Sequence, residues 1–102
     1  MNVGIDLVDC ARCGGLISPK IFAPAELAYI AQKNNDLTTV AGLYAAKEAY
    51  FKATGTGIIK SQLPLVEVGH RENGQPYYVN CPRSCLSISH TTMTATAICI
   101  IF

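Results

Sequence analysis

Leu37-Thr38-Thr39-Val40-Ala41-Gly42-Leu43-Tyr44-Ala45-Ala46-Lys47-Glu48-Ala49-Tyr50-Phe51-Lys52-Ala53-Thr54 is the stretch on which the reading of this chain turns. It is rich in alanine and other good helix formers and has no proline, so it predicts one long helix. Asn34-Asn35-Asp36 precedes it as a turn whose Asp36 can cap the first free N–H groups, and Gly55-Thr56-Gly57 ends it. Along the helix Tyr44, Glu48 and Lys52 fall four apart and share one stripe, while Val40, Tyr44, Lys47 and Phe51 run beside it. Glu48 and Lys52 stand in the favourable order for an ordinary exposed ion pair, yet their neighbours are apolar, and the spacing alone leaves both readings open.

Working outward, Val3 to Val8 is a short apolar run interrupted by Asp6 and reads as a first strand. Gly14-Gly15 and Pro19 then break the chain, and Pro24-Ala25-Glu26-Leu27 opens a short helix through about Gln32. Beyond the long helix, Leu63 to Val68 and Pro76 to Val79 flank Glu72-Asn73-Gly74-Gln75, whose Asn-Gly pair signals a hairpin turn. Cys85 to His90 and Ala95 to Phe102 read as two further strands joined by Thr91-Thr92-Met93-Thr94. The pattern predicts an α+β fold, with a mainly antiparallel sheet packed on the long helix.

The chain has 102 residues, half of them hydrophobic and 15% charged, which suits one domain over 1–102. So small a domain gains from borrowing surface from a symmetry mate if it must grip a large ligand and a protein partner. Eight Lys plus Arg nearly balance seven Asp plus Glu, so no basic footprint marks a nucleic-acid partner. The first residues, Met1 to Asp6, carry no cationic leader, and Ala97 to Phe102 is too short an apolar run to span a bilayer, so the expectation is a cytoplasmic protein without a membrane partner. Five cysteines, an odd number, fit reduced thiols. Two close pairs, Cys10 with Cys13 and Cys81 with Cys85, also leave open a small zinc-binding interaction module, with metal content as its discriminator. The plainer reading makes them small, partly buried hydrophobes.

A carboxylate in an apolar strand needs a cation or a donor, and Mg²⁺ is commonly held by one or two carboxylates together with substrate phosphates. Asp6 and Glu48 could supply that pair, and Lys52 with the glycine turn would add an ammonium and free N–H groups suited to a pyrophosphate. Alternation in Leu86-Ser87-Ile88-Ser89-His90 places Leu86, Ile88 and His90 on one face. His90 then reads either as a hydrogen-bonded structural residue or, with the hydroxyls of Thr91, Thr92 and Thr94, as a phosphate ligand.

Five blocks in order carry a resemblance: Gly4-Ile5-Asp6-Leu7-Val8 with Arg12; Tyr44 to Ile58, with its Lys47-Glu48-Ala49 core, Lys52 and Gly55-Thr56-Gly57; Asn73-Gly74-Gln75-Pro76; Ser87-Ile88-Ser89-His90; and Ala95 with Ala97. Together they resemble the holo-acyl-carrier-protein synthases, the second block being the specific one. The resemblance implies a homotrimer with coenzyme A bound in clefts between subunits, and transfer of its 4′-phosphopantetheine arm to a serine of an acidic acyl carrier protein. It implies that Asp6 and Glu48 bind Mg²⁺, that Lys52 contacts the phosphates, and that Gly55, Pro76, His90 and Thr91 lie near the nucleotide. The general base is left between Glu48 and a metal-bound water. The chain departs from the pattern in two places. Leu43 stands where the family usually has an arginine, and the stretch from Arg12 to Phe22 is shorter and less basic, with only Arg12, Lys20 and Lys33 to meet an acidic partner. A non-catalytic member that binds coenzyme A and transfers nothing is therefore the second expectation.

Overall fold

A computed structural model describes residues 1–102. The chain begins with strand β1, Asn2–Asp9, and passes through single 3-10 turns at Cys10–Arg12 and Gly14–Leu16 to helix α1, Pro24–Gln32. Helix α2 occupies Leu37–Thr54, followed by a 3-10 segment at Lys60–Leu65 and strands β2 (Val68–His70), β3 (Pro76–Tyr78), β4 (Ser84–His90) and β5 (Thr94–Ile101). Strands β1, β5 and β4 form an antiparallel sheet in that order, and β2 with β3 forms a separate hairpin. The expected α+β architecture, a mainly antiparallel sheet on the long helix, is what forms.

Helix α2 has the predicted ends. Asp36 accepts hydrogen bonds from the Thr38 N–H and hydroxyl, each at 2.9 Å, and Gly55 closes the helix at φ +78°. Nearly all of its circumference is covered, as expected of a helix without a continuous polar face. Ala45, Ala49 and Ala53 are buried on the sheet side. There Gly4 of β1 has no room for a side chain: a Cβ would collide with the Ala49 carbonyl and lie 2.6 Å from the Ala53 nitrogen. Gly42 meets Ile88 of β4 in the same layer, 3.1 Å from where its own Cβ would stand. Small residues on both surfaces therefore let helix and sheet approach closely. On another side Val40, Lys47 and Phe51 are buried.

Two expectations need correction. Leu63 to Val68 is not a strand, since Lys60–Leu65 winds as a 3-10 segment and only Val68 enters β2. Pro64 has no N–H to give a ladder, and the carbonyls of Leu63 and Val66 are taken by the Lys47 ammonium at 2.9 and 2.8 Å. The hairpin forms around Gly74 at φ +90°, but Arg71 N donates to Gln75 O, so its loop is longer than a two-residue turn. The zinc module is the second correction. Cys10 N–H bonds to Met93 O just before β5, whereas Cys85 pairs with Ile100 near its end, which separates the two cysteine pairs by roughly 20 Å of strand. No group of three His, Cys, Asp or Glu side chains converges as a metal cluster.

Replacing Gly4 by alanine should destabilise the fold by about 1–3 kcal/mol, the usual cost of overpacking a tight interface. Thermal or denaturant unfolding would measure it, and an unchanged midpoint would refute the close approach of β1 to α2.

Candidate active site

The inward face of β1 presents Gly4 and then Asp6 to α2, so the same approach that excludes a side chain at residue 4 sets the Asp6 carboxylate beside the helix stripe of Tyr44, Glu48 and Lys52. Asp6 is 7% exposed. Its Oδ1 accepts a 2.9 Å hydrogen bond from the Lys52 ammonium, whose side chain is 53% exposed. Its Oδ2 is buried with no partner. Lys52 thus pairs from the helix to Asp6 of the neighbouring strand and not along the helix in the simple pair that spacing allowed. A buried carboxylate oxygen without a donor is costly, and it is the feature of this site that calls for a cation.

Glu48 stands half-buried beside it. Burial and then the Asp6 charge push its carboxyl above the usual range, opposed by the Tyr44 hydroxyl and by Lys52. Tyr44 responds in kind, its hydroxyl pushed up to about 12 by burial and by Glu48. Lys52 is raised chiefly by its hydrogen bond to Asp6. The cluster therefore concentrates two carboxylates near one ammonium, and the donor set is all oxygen. This suits a hard divalent ion that takes its remaining ligands from phosphates and water.

Gly55 lies three residues beyond Lys52, at the left-handed end of α2. The other predicted nucleotide residues are elsewhere. Pro76, at the start of β3, and His90, at the end of β4, line a cavity of about 190 Å³ with Thr39, Gly42 and Leu43 of α2 and the His70 ring. His70 stacks on Tyr29 with ring centroids 4.0 Å apart. Thr91 lines a separate cavity of about 110 Å³ with Leu7, Ser89, Thr94 and Thr96, joined to the first only through His90; its hydroxyl accepts from the N–H groups of Met93 and Thr94 at 3.1 Å each, while His90 Nδ1 is 3.1 Å from Thr91 O. Thr39 and Glu48 are nine positions apart, so at about 100° per residue they lie on opposite flanks of α2. Within one chain the expected residues form two half-sites, with the helix between them.

Residues 2–99 match the family described as the 4′-phosphopantetheinyl transferase superfamily. The chain belongs to that superfamily. Among holo-acyl-carrier-protein synthases it is 36% identical over 113 residues to that of Chlorobaculum tepidum, covering 98% of this chain and 97% of the relative. It is 31% identical over 115 residues to that of Caldicellulosiruptor bescii, covering 97% and 95%. A crystal structure of the Bacillus anthracis synthase in complex with coenzyme A (3′,5′-ADP) superposes with a TM-score of 0.83 at 31% identity, covering 98% of this chain and 94% of that one.

One residue of the specific block escaped functional reading from sequence. Lys47 is fully buried and pairs with the fully buried Glu26 at 2.7 Å. The available signal was its place in the apolar row Val40, Lys47, Phe51, where a lysine has to find a partner inside the protein.

Asp6→Asn should bring the Glu48 titration down toward the ordinary carboxylate range, since it removes the neighbouring charge. Carboxyl-carbon NMR across a pH series would follow it, and an unmoved Glu48 midpoint would show that burial alone sets its proton affinity.

Proposed function

We propose that residues 1–102 form one Mg²⁺-dependent transferase domain that moves 4′-phosphopantetheine from coenzyme A to a serine hydroxyl of an apo acyl carrier protein and releases 3′,5′-adenosine bisphosphate. The observation that carries the metal dependence is the partnerless Asp6 Oδ2 beside Glu48, with Lys52 already engaged on the other Asp6 oxygen. Asp6 and Glu48 would hold the ion. When bound, it neutralises pyrophosphate charge and orients the phosphate for in-line attack. The exposed Lys52 ammonium lies at the edge of the same cluster, where it meets the charge that grows on the leaving oxygen. The partner's serine oxygen forms the new bond to phosphorus, the bond to the adenosine bisphosphate oxygen breaks, and the serine proton would pass to a general base, either Glu48 or a water held beside it.

The chain would act as a homotrimer in the cytoplasm. Two features support assembly. The half-sites lie on opposite flanks of α2, so a neighbouring copy would have to bring the Pro76, His90 and Thr91 side to the Asp6, Glu48 and Lys52 side. The outer face of the sheet is also apolar, with Val3 61%, Ile5 60%, Leu7 69% and Ile98 37% exposed. No helix is long and apolar enough to cross a membrane.

The acceptor would approach a separate cavity of about 650 Å³, walled by Leu16, Ile21, Leu63 and Pro64 and floored by Tyr44, with Lys20 and Lys60 among its lining residues. These two lysines complement an acidic carrier protein. The second reading, a coenzyme A-binding member that transfers nothing, is favoured by one observation. Leu43 is buried against the His90 cavity, and none of the residues lining that cavity is Lys or Arg.

Incubation of an apo acyl carrier protein with this chain, coenzyme A and Mg²⁺ should add one phosphopantetheine by mass, and chelator, Asp6→Ala or Glu48→Ala should abolish the gain. Coenzyme A binding without any gain would establish the second reading. Light scattering should give three chain masses, and Ile5→Lys, on the exposed face, should give a folded monomer. An assembly unchanged by Ile5→Lys would exclude that face as the interface.

A further inference from the structure

The buried ion pair between Lys47 and Glu26 joins parts of the chain that no other interaction links in this way. All three ammonium protons of Lys47 are used, on Glu26 Oε1 at 2.7 Å, Leu63 O at 2.9 Å and Val66 O at 2.8 Å. Glu26 in turn accepts from the Ala23 N–H through Oε1 and from the Val68 N–H through Oε2, both at 2.9 Å. One pair thus ties the first turn of α1, the middle of α2, the two ends of the 63–66 stretch and the first residue of β2. Burying two charges is a poor route to stability, because packed apolar side chains of similar volume often do as well or better. What the pair supplies is direction: it turns two backbone carbonyls inward and so fixes which way the outer surface of the 60–66 segment faces.

That outer surface is functional ground. Lys60, Ser61, Leu63 and Pro64 line the same cavity as Tyr44, and Tyr44 stands one helical turn before Glu48 on the same stripe of α2. Its other anchors are the buried Leu63 side chain, a 3.3 Å hydrogen bond from the Asn80 amide to Leu65 O and a 2.9 Å bond from Gln62 N–H to Ile59 O, and none of them turns a carbonyl inward as the pair does. Lys60, Ser61, Gln62 and Leu65 are exposed, and its internal hydrogen bonds at Val66 N are long, 3.3 Å to both Gln62 O and Leu63 O. We propose that Lys47 and Glu26 are positioning residues for the acceptor: they hold the 60–66 wall so that the carrier protein docks with its serine toward Glu48. This inference rests on the transferase reading for the identity of the acceptor.

The test combines equilibrium binding with hydrogen exchange, so that it does not depend on turnover. In a Lys47→Met, Glu26→Gln double variant, which removes both charges and leaves an amide to accept from Ala23 or Val68, the Val66 amide should exchange faster. The dissociation constant for apo acyl carrier protein, measured by fluorescence anisotropy, should rise about tenfold, while that for coenzyme A with Mg²⁺ stays within about twofold. A general loosening of the fold would raise both constants together and overturn the proposal, as would faster exchange with carrier binding unchanged. Should the double variant fail to fold, Gln62→Gly leaves the pair intact and loosens only the exposed wall. It should weaken carrier binding roughly two- to fivefold, and wild-type affinity there would overturn the proposal. Failure of the wild-type chain to bind any carrier protein would also overturn it. The mass gain of the wild-type reaction reports separately on the transferase reading.

Discussion

The close approach of β1 to α2 is the constraint on which the rest of this structure depends. It exists because Gly4 has no side chain and because Ala49 and Ala53 present little more than backbone to it. Two residues along the strand, the same geometry sets a carboxylate at Asp6 against the helix at the height of Glu48 and Lys52. The packing that makes the core tight is therefore also what concentrates charge at the site. The cost appears in the partnerless Asp6 Oδ2 and in the raised proton affinity of Glu48, the electrostatic strain of two carboxylates brought together in a half-buried place.

Helix α2 serves different neighbours on each side. Its alanine side packs on the sheet, its Tyr44, Glu48 and Lys52 stripe forms the carboxylate cluster, and its Thr39, Gly42 and Leu43 side lines the His90 cavity. The remaining side carries Lys47 inward to Glu26. Adjacent residues Lys47 and Glu48 thus have opposed fates, because a rotation of about 100° per residue takes one into the core and the other to the site. Helix α2 therefore separates the carboxylate cluster from the cavity lined by Pro76 and His90, and the apolar outer face of the sheet is a third surface distinct from both.

Much of this was legible in the chain itself. Asp36, the alanine-rich run and Gly55 mark both ends of α2 by local chemistry, the alternation through 85–90 and 95–102 marks the β4–β5 pair of the antiparallel sheet, and the Asn-Gly turn marks the separate β2–β3 hairpin. The apolar residues of 63–68 suit a strand by themselves, while the actual path of the segment is set by Pro64 and by an ammonium 16 and 19 positions earlier in the chain. The cysteine pairs suggested a metal only while their separation along β5 was unknown.

By itself the sequence determined the elements, their caps and the chemical inventory: which carboxylates, which lysines and which glycines lie where along the chain. These are local properties, governed by spacing and by backbone preference. Only the tertiary structure decided which charges meet. Lys52 could have paired with Glu48 four residues away on its own helix, and instead bonds to Asp6, 46 positions distant, while Lys47 reaches back 21 positions to Glu26. Such choices depend on how closely two surfaces approach and on how much water they exclude, and neither quantity is carried by the order of residues in one segment.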